Sequence, residues 1–251
     1  MPVDDAALQV ATLSRLVQRP RLIVVTPSQQ YPTGAVMPES RRKKLLGWAE
    51  QHHSMIVESD YDSELREGPR SLETIHSLDR SGRVLYVGTF SRILFPSLRI
   101  GYVVLPFPLV EPMTRAKLLA DRHPPTLTQE ALTEFIEEGH FERHVRKTRK
   151  RIGALRSVLL DAIAENLGAD VEVSGSGSGG QVLVWCKHEP EERTDAVVHA
   201  AAKAGVGLLS VSSNCLNPPD RAGLILRVGG LGPDEIRTGI HQLRQVIRSG
   251  T

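Results

Sequence analysis

With 251 residues, 40% of them hydrophobic, the chain can bury a sizeable core in one large domain or two small ones. Its 31 basic and 29 acidic residues nearly cancel, and a formal net charge of +2 creates no field of the kind that gathers nucleic acid or another polyanion. The acidic start "MPVDDAALQV" has the wrong charge for a secretory leader, no apolar run approaches the ~20 residues of a membrane span, and two sparse cysteines, Cys186 and Cys215, read as free thiols, so a soluble, cytoplasmic protein is expected.

Residues 6–17 have the apolar spacing of a helix, "RLIVV" (21–25) is a short strand, and "TPSQQYPTG" (26–34) is a loop dense in Pro, Ser and Gly. Residues 38–52 follow as a helix, with Pro at its start and Leu45, Leu46 and Trp48 on one side. "MIVESD" (55–60) is a strand running into a loop, "SLETIHSL" follows, and "VLYV" (84–87) and "RIGYVVLP" (99–106) are β-branched or aromatic runs closed by Gly or Pro. Strand alternating with helix predicts a mainly parallel sheet.

Beyond Pro106 the pattern changes to amphipathic helices: Leu132, Phe135 and Ile136, then Ile152, Leu155, Leu159 and Ile163, recur at three- and four-residue spacing with an interruption near Gly139. The tail returns to strands, "DVEVSGSGSGGQVLVWCK" and "GLILRVGG", with helices "RTDAVVHAAAKAG" and "PDEIRTGIHQLRQVIRSG" between and after them. This divides the chain into a large domain over 1–163 and a small α+β domain over 164–251. The Ser/Gly run 174–180 reads as a loop inside the second domain, and it lacks the Gly-Lys-Ser/Thr ending of a phosphate-binding P-loop.

Between two strands lies "GTFSRILFPSLR" (88–99), which places the cationic Arg92 at a C-terminal strand mouth, where ligands of open α/β sheets bind. With "TPSQQYPTG", "ESDYDSE", "DRHPPTLTQEALTEFIEEGHFERHVRKTRKR" and "LILRVGG", it stands in the order and approximate spacing of the aminotransferase-like domain of MocR-type transcriptional regulators. The chain resembles that domain from about residue 4 to 250, and through it the fold-type I aminotransferases that use pyridoxal 5′-phosphate (PLP).

The resemblance implies an incomplete, mainly parallel large-domain sheet with a small C-terminal domain, a homodimer, and PLP as the family cofactor. In the family a lysine after "GTFS" holds PLP as a Schiff base and an arginine seven residues on binds its phosphate. Here these places carry Arg92 and Arg99, with Thr89 and Ser91 as further phosphate donors. A guanidinium suits phosphate because its fork matches the oxygens; the competing reading of Arg99 is a solvated loop charge. Arg92, however, has no free lone pair for condensation and cannot be deprotonated at biological pH, so no Schiff base is expected. It either holds an anion by charge and hydrogen bonding or is a drifted position in a site that no longer works. The family Asp that keeps the pyridine nitrogen protonated falls at Ser59, whereas Tyr61, implied to bond the cofactor ring oxygen, and Arg227, implied to bind substrate carboxylate, are retained. Arg227 reads equally as an edge-strand charge.

The family also carries a winged helix-turn-helix, a linker and the first part of the large domain ahead of the matched stretch, so an N-terminal truncation is expected. The basic run "HFERHVRKTRKR" (140–151) adjoins or includes Glu137, Glu138 and Glu142 and reads as a solvated helix face, which assigns no nucleic acid directly. His140 and His144 lack a third ligand at metal-site spacing, and no metal is assigned. The expectation is a truncated, catalytically inactive aminotransferase class I/II-like domain, with PLP non-covalent or absent and a small amino acid or phosphate-bearing compound as ligand. The alternatives are a PLP-dependent transaminase acting on an amino acid, and part of a PLP-responsive regulator without its DNA-binding domain.

Overall fold

The computed structural model describes residues 1–16, 18–66, 73–174 and 179–249. The chain divides into two compact units, one of Met1–Gln30 with Ala35–Thr148 and one of Tyr31–Gly34 with Arg149–Thr251.

The first unit opens with two short antiparallel strands, β1 (Val3–Asp4) and β2 (Ala7–Leu8), and a 3₁₀ helix over Val10–Arg15. This replaces the α-helix expected over 6–17, whose residue 17 lies outside the described residues. Ala7 sits at φ 68°, a left-handed conformation that a continuing α-helix does not allow. The Asp4 carboxylate accepts from Ala6 N at 2.8 Å, and Arg41 donates to the Ala6 and Ala7 carbonyls at 3.0 and 3.2 Å. Backbone groups that a helix needs are thereby committed to other partners.

The sheet of this unit is built from β3 (Leu22–Val25), β4 (Met55–Asp60), β5 (Val84–Thr89) and β6 (Gly101–Val104), in that spatial order. The helix α1 (Glu39–Gln51) links β3 to β4, and α2 (Ile75–Leu78) precedes β5. Pro38 stands just ahead of α1, and Leu45, Leu46, Trp48 and Ala49 form its buried stripe. β3, β4 and β5 run parallel, and β6 returns antiparallel to β5. The short 90–100 connection has no room for the crossover helix that a parallel return requires.

In-register residues share a sheet face. Ile23, Val25, Ile56 and Val84 lie on the face buried with α1 and α2, whereas Leu22 and Val24, on the opposite face, are 53% and 66% exposed. Among the described residues no strand pairs with the outer edge of β3 or β6.

After β6 come α3 (Phe107–Asp121), α4 (Thr126–Glu137) and α5 (His140–Leu167). The expected break stands at Gly139, φ 73°, between α4 and α5. The sequence reading assigned no element to the residues of α3. It has no buried residue and carries Pro112 within it, so neither a clear apolar stripe nor good propensity announced it.

In the second unit β7 (Val171–Ser174), β8 (Gln181–Cys186), β9 (Leu209–Ser210) and β10 (Gly223–Arg227) form an antiparallel sheet of order β7-β8-β10-β9. α6 (Thr194–Lys203) lies between β8 and β9, and α7 (Pro233–Arg248) ends the chain's helical content. Ile236, Ile240, Leu243 and Ile247 of α7 join Leu155, Leu159 and Ile163 of α5 and Val182, Val184 and Leu224 of the sheet in one core. Each such side chain contributes roughly 1.5–3 kcal/mol on burial. Most of the Ser/Gly run, 175–178, lies outside the described residues. Both Cys186, buried, and Cys215, exposed, are free thiols.

A buried ion cluster organises the loops of the first unit. Arg42 and Glu58 are both fully buried, with Nη1 3.8 Å from Oε1. Arg42 donates to the carbonyls of Pro27, Met37 and Glu73 at 3.0, 2.9 and 2.9 Å, while Glu58 accepts from the first amides of α2, Ile75 N at 3.0 Å and His76 N at 2.8 Å. Burial pushes the Glu58 carboxyl above its usual range, opposed by those amides and by Arg42. Glu58→Ala would strand a buried guanidinium and leave two helix amides without acceptors. We expect it to lower unfolding stability by about 3–5 kcal/mol, measured by urea denaturation.

Candidate functional site

In the first unit Ser59 lies near the C-terminal end of β4 with Tyr61 just beyond it, and Thr89 ends β5, with Ser91, Arg92 and Arg99 in the connection to β6. Strand alternation separates Ser59 from Asp60: Met55, Val57 and Ser59 are half-buried, whereas Ile56, Glu58 and Asp60 are buried on the other face. Asp60 is engaged there, its Oδ2 accepting from Tyr86 Oη at 2.7 Å and its Oδ1 from Ser63 N at 3.2 Å.

Arg92 follows the end of β5 and turns toward the loop after β4. Its Nε donates to Asp62 Oδ1 at 2.7 Å, with the Arg92 side chain 33% exposed and that of Asp62 only 1%. Its guanidinium carbon lies 5.4 Å from the centroid of the Tyr61 ring, within cation–π range. Tyr61 in turn donates its hydroxyl to Gln29 O at 3.0 Å. Asp62 was not singled out by the sequence reading, although it stands inside the quoted "ESDYDSE". Nothing local marks it as Arg92's partner, because the two are 30 positions apart.

The loop that carries Arg92 is fixed at several points. Phe90 N donates to Ile100 O at 3.0 Å, and Ser91 N to the Thr89 hydroxyl at 3.2 Å. His144 of α5 holds Ile93 O at 2.8 Å through Nε2, which must therefore carry the proton. His144, considered from sequence only as a metal ligand, is a loop anchor. Among the described residues no three His, Cys, Asp or Glu side chains assemble a metal-binding group. Arg99 ends a 3₁₀ turn over Pro96–Leu98 in the left-handed conformation, φ 52°, and is exposed. Thr89 and Ser91 are half-buried.

Tyr102 of β6 lies over β5. A methyl group added at Gly88 would come within 2.3 Å of its ring, so the missing side chain at 88 is what admits the tyrosine. Its ring centroid is 6.2 Å from that of Tyr86 and 5.6 Å from that of Phe90. Burial, together with its bond to Asp60, pushes the Tyr86 hydroxyl far above the ordinary phenol range, so it remains a proton donor. Arg227 belongs to the second unit, at the exposed end of β10, where its Nη2 is 3.4 Å from Tyr31 Oη.

The residues at this mouth do not fit PLP held as a Schiff base. Position 92 offers a guanidinium without a free lone pair, position 59 a hydroxyl without charge, and the Tyr61 hydroxyl is already donated to a backbone carbonyl.

A mainly parallel sheet with α1 and α2 on one face, loops at its C-terminal mouth and a small antiparallel sheet later in the sequence make this an α/β protein. The chain belongs to the aminotransferase class I and II family, which it matches over residues 2–215. It is 37% identical over 227 residues to the uncharacterized HTH-type transcriptional regulator YhdI of Bacillus subtilis, covering 90% of this chain and 48% of that protein. It is also 37% identical over 225 residues to the probable rhizopine catabolism regulatory protein MocR of Rhizobium meliloti, covering 90% of this chain and 45% of that one. The chain thus spans about half the length of these relatives. Among solved structures, kynurenine aminotransferase of Pyrococcus horikoshii superposes with a TM-score of 0.89 at 26% identity, covering 100% of this chain and 63% of that chain. The fold is that of the fold-type I PLP-dependent aminotransferases.

Gly88→Ala should displace the Tyr102 ring and cost about 1–3 kcal/mol through overpacking. A changed near-UV circular dichroism spectrum and a lowered melting temperature are the expected readouts.

Proposed function

We propose that this chain is a non-catalytic, ligand-binding domain of aminotransferase fold, akin to the effector half of MocR-type regulators. The observation that carries this reading is Arg92, which stands where the family's Schiff-base lysine belongs and gives its Nε to the buried Asp62. Covalent catalysis on PLP requires an amine that loses its proton and attacks the aldehyde; a guanidinium delocalises its lone pairs over three nitrogens and does neither. Ser59 adds to this, because a neutral hydroxyl cannot hold a proton on the pyridine nitrogen by charge. What remains is non-covalent recognition: Arg92 and Arg99 as cations, with Thr89 and Ser91 as hydroxyl donors, for a small amino acid or a phosphate-bearing ligand. Arg227, in the second unit, is proposed by itself as a carboxylate-binding group of the family type. A transaminase activity lacks its nucleophile here.

Purified protein incubated with PLP and then reduced with borohydride is expected to carry no stable adduct in the peptide containing Arg92, by mass spectrometry. An adduct mapped there would overturn the reading.

We further propose that the chain self-associates as a homodimer. Its support is apolar surface: β6 is exposed along its length, with Val103 44% and Val104 41%, and α3 presents Phe107 at 90% and Leu119 at 87% exposed. Size-exclusion chromatography with light scattering should give a mass of twice 27.6 kDa or more; a monodisperse monomer that melts cooperatively refutes it.

A further inference from the structure

The ion pair at the strand mouth leaves one edge of Arg92 uncommitted, and that edge has a definite chemistry. A guanidinium presents five N–H groups in a planar fork. Arg92 spends the Nε group on Asp62 Oδ1 at 2.7 Å and lays its face against Tyr61, while Nη1 and Nη2 take no protein partner among the described residues. Asp62 is 2% exposed, and pulling Arg92 away from it would take a cationic partner from a buried carboxylate. The guanidinium is therefore held from the side and from its face, with its end open. Anchors of this kind lower the entropy lost when a ligand engages the Nη1/Nη2 edge.

The surroundings decide which anion suits that edge. Asp60 and Asp62 are buried acids of the same loop, and Glu64 follows them. Burial holds the Glu64 carboxyl above its usual range, with the charges of Asp60 and Asp62 adding to that displacement. These three acids stand close to one another, with Asp62 in contact with Arg92, and they oppose each further negative charge that a ligand brings to the edge.

We propose that the Nη1/Nη2 edge of Arg92, oriented by Asp62 and Tyr61, is a receptor for the carboxylate of a small monoanion and discriminates against a phosphate dianion. It rests on the non-covalent reading of the site given above and specifies its ligand. Asp62 is then a positioning residue that also sets selectivity: its oxygen orients the fork and its charge excludes the dianion. Carboxylate and guanidinium pair through two parallel hydrogen bonds, which a single ammonium cannot reproduce.

Acetate and inorganic phosphate are the probes, titrated at constant ionic strength into the full chain with binding followed by ligand-observed NMR, and with near-UV circular dichroism to confirm folding of each variant. Wild type should bind acetate saturably and phosphate several-fold more weakly. Arg92→Gln should lose acetate binding at least tenfold, and Arg92→Lys should weaken it several-fold. Asp62→Asn, which keeps the acceptor oxygen and removes the charge, should bind acetate no more weakly than wild type and shift the acetate-to-phosphate preference toward phosphate by roughly tenfold, as one charge ~6 Å away at an effective dielectric of ~40 does. Asp62→Ala, which removes the acceptor as well, should weaken acetate. Acetate affinity unchanged in folded Arg92→Gln, or an acetate-to-phosphate preference unmoved in Asp62→Asn, overturns the inference. Either result without a borohydride adduct leaves the non-catalytic reading standing, whereas an adduct at the Arg92 loop refutes that reading independently of the acetate titration.

Discussion

The buried contact of Arg42 with Glu58 is the constraint on which the first unit depends. Two opposite charges without solvent are costly to desolvate, and the cost is offset by five hydrogen bonds to backbone groups, three from Arg42 and two to Glu58. Arg42 thereby ties Pro27, near the start of "TPSQQYPTG", and Met37, three residues past its end, to α1, and Glu58 ties the start of α2 to the centre of the sheet. The Tyr61 hydroxyl then meets a Gln29 carbonyl whose position is already set, and Arg92 meets a ring that is already set. The mouth is thus assembled on a buried, hydrogen-bonded polar core.

The same sheet is asymmetric. The face toward α1 and α2 holds Ile23, Val25, Ile56 and Val84 near zero exposure, and the other face keeps Leu22 and Val24 in contact with water. Parallel sheets are usually covered on both faces, so this apolar surface has the character of an interface rather than of an outside. Ser59 lies on that open face, since it alternates with the buried Glu58 and Asp60.

At position 92 the difference between an amine and a guanidinium separates two chemistries on one fold. An amine can lose a proton and form a covalent bond; a guanidinium keeps its charge and forms hydrogen bonds in a plane. The buried Asp62 suits the second, since a permanent cation one-third exposed is a stable partner for a carboxylate that water does not reach.

The sequence alone determined the strands 21–25, 55–60 and 84–87, the helix after Pro38, the break at Gly139, the α5 stripe and the helix that became α7, because each is written in local apolar period, Pro and Gly. It also placed Ser59, Tyr61, Arg92 and Arg99 in two short motifs by their order. Only the tertiary structure decided that Ala7–Leu8 is a strand and Val10–Arg15 a 3₁₀ helix, since the reason is an arginine 35 positions from Ala6 that takes the Ala6 carbonyl. Only it disclosed Asp62 as Arg92's partner, His144 as the loop anchor and Tyr102 as the ring above Gly88. These are pairings between side chains far apart in sequence. Local composition carries no record of them, because a charge or a ring finds its partner through the packing of the whole unit and not through its neighbours in the chain.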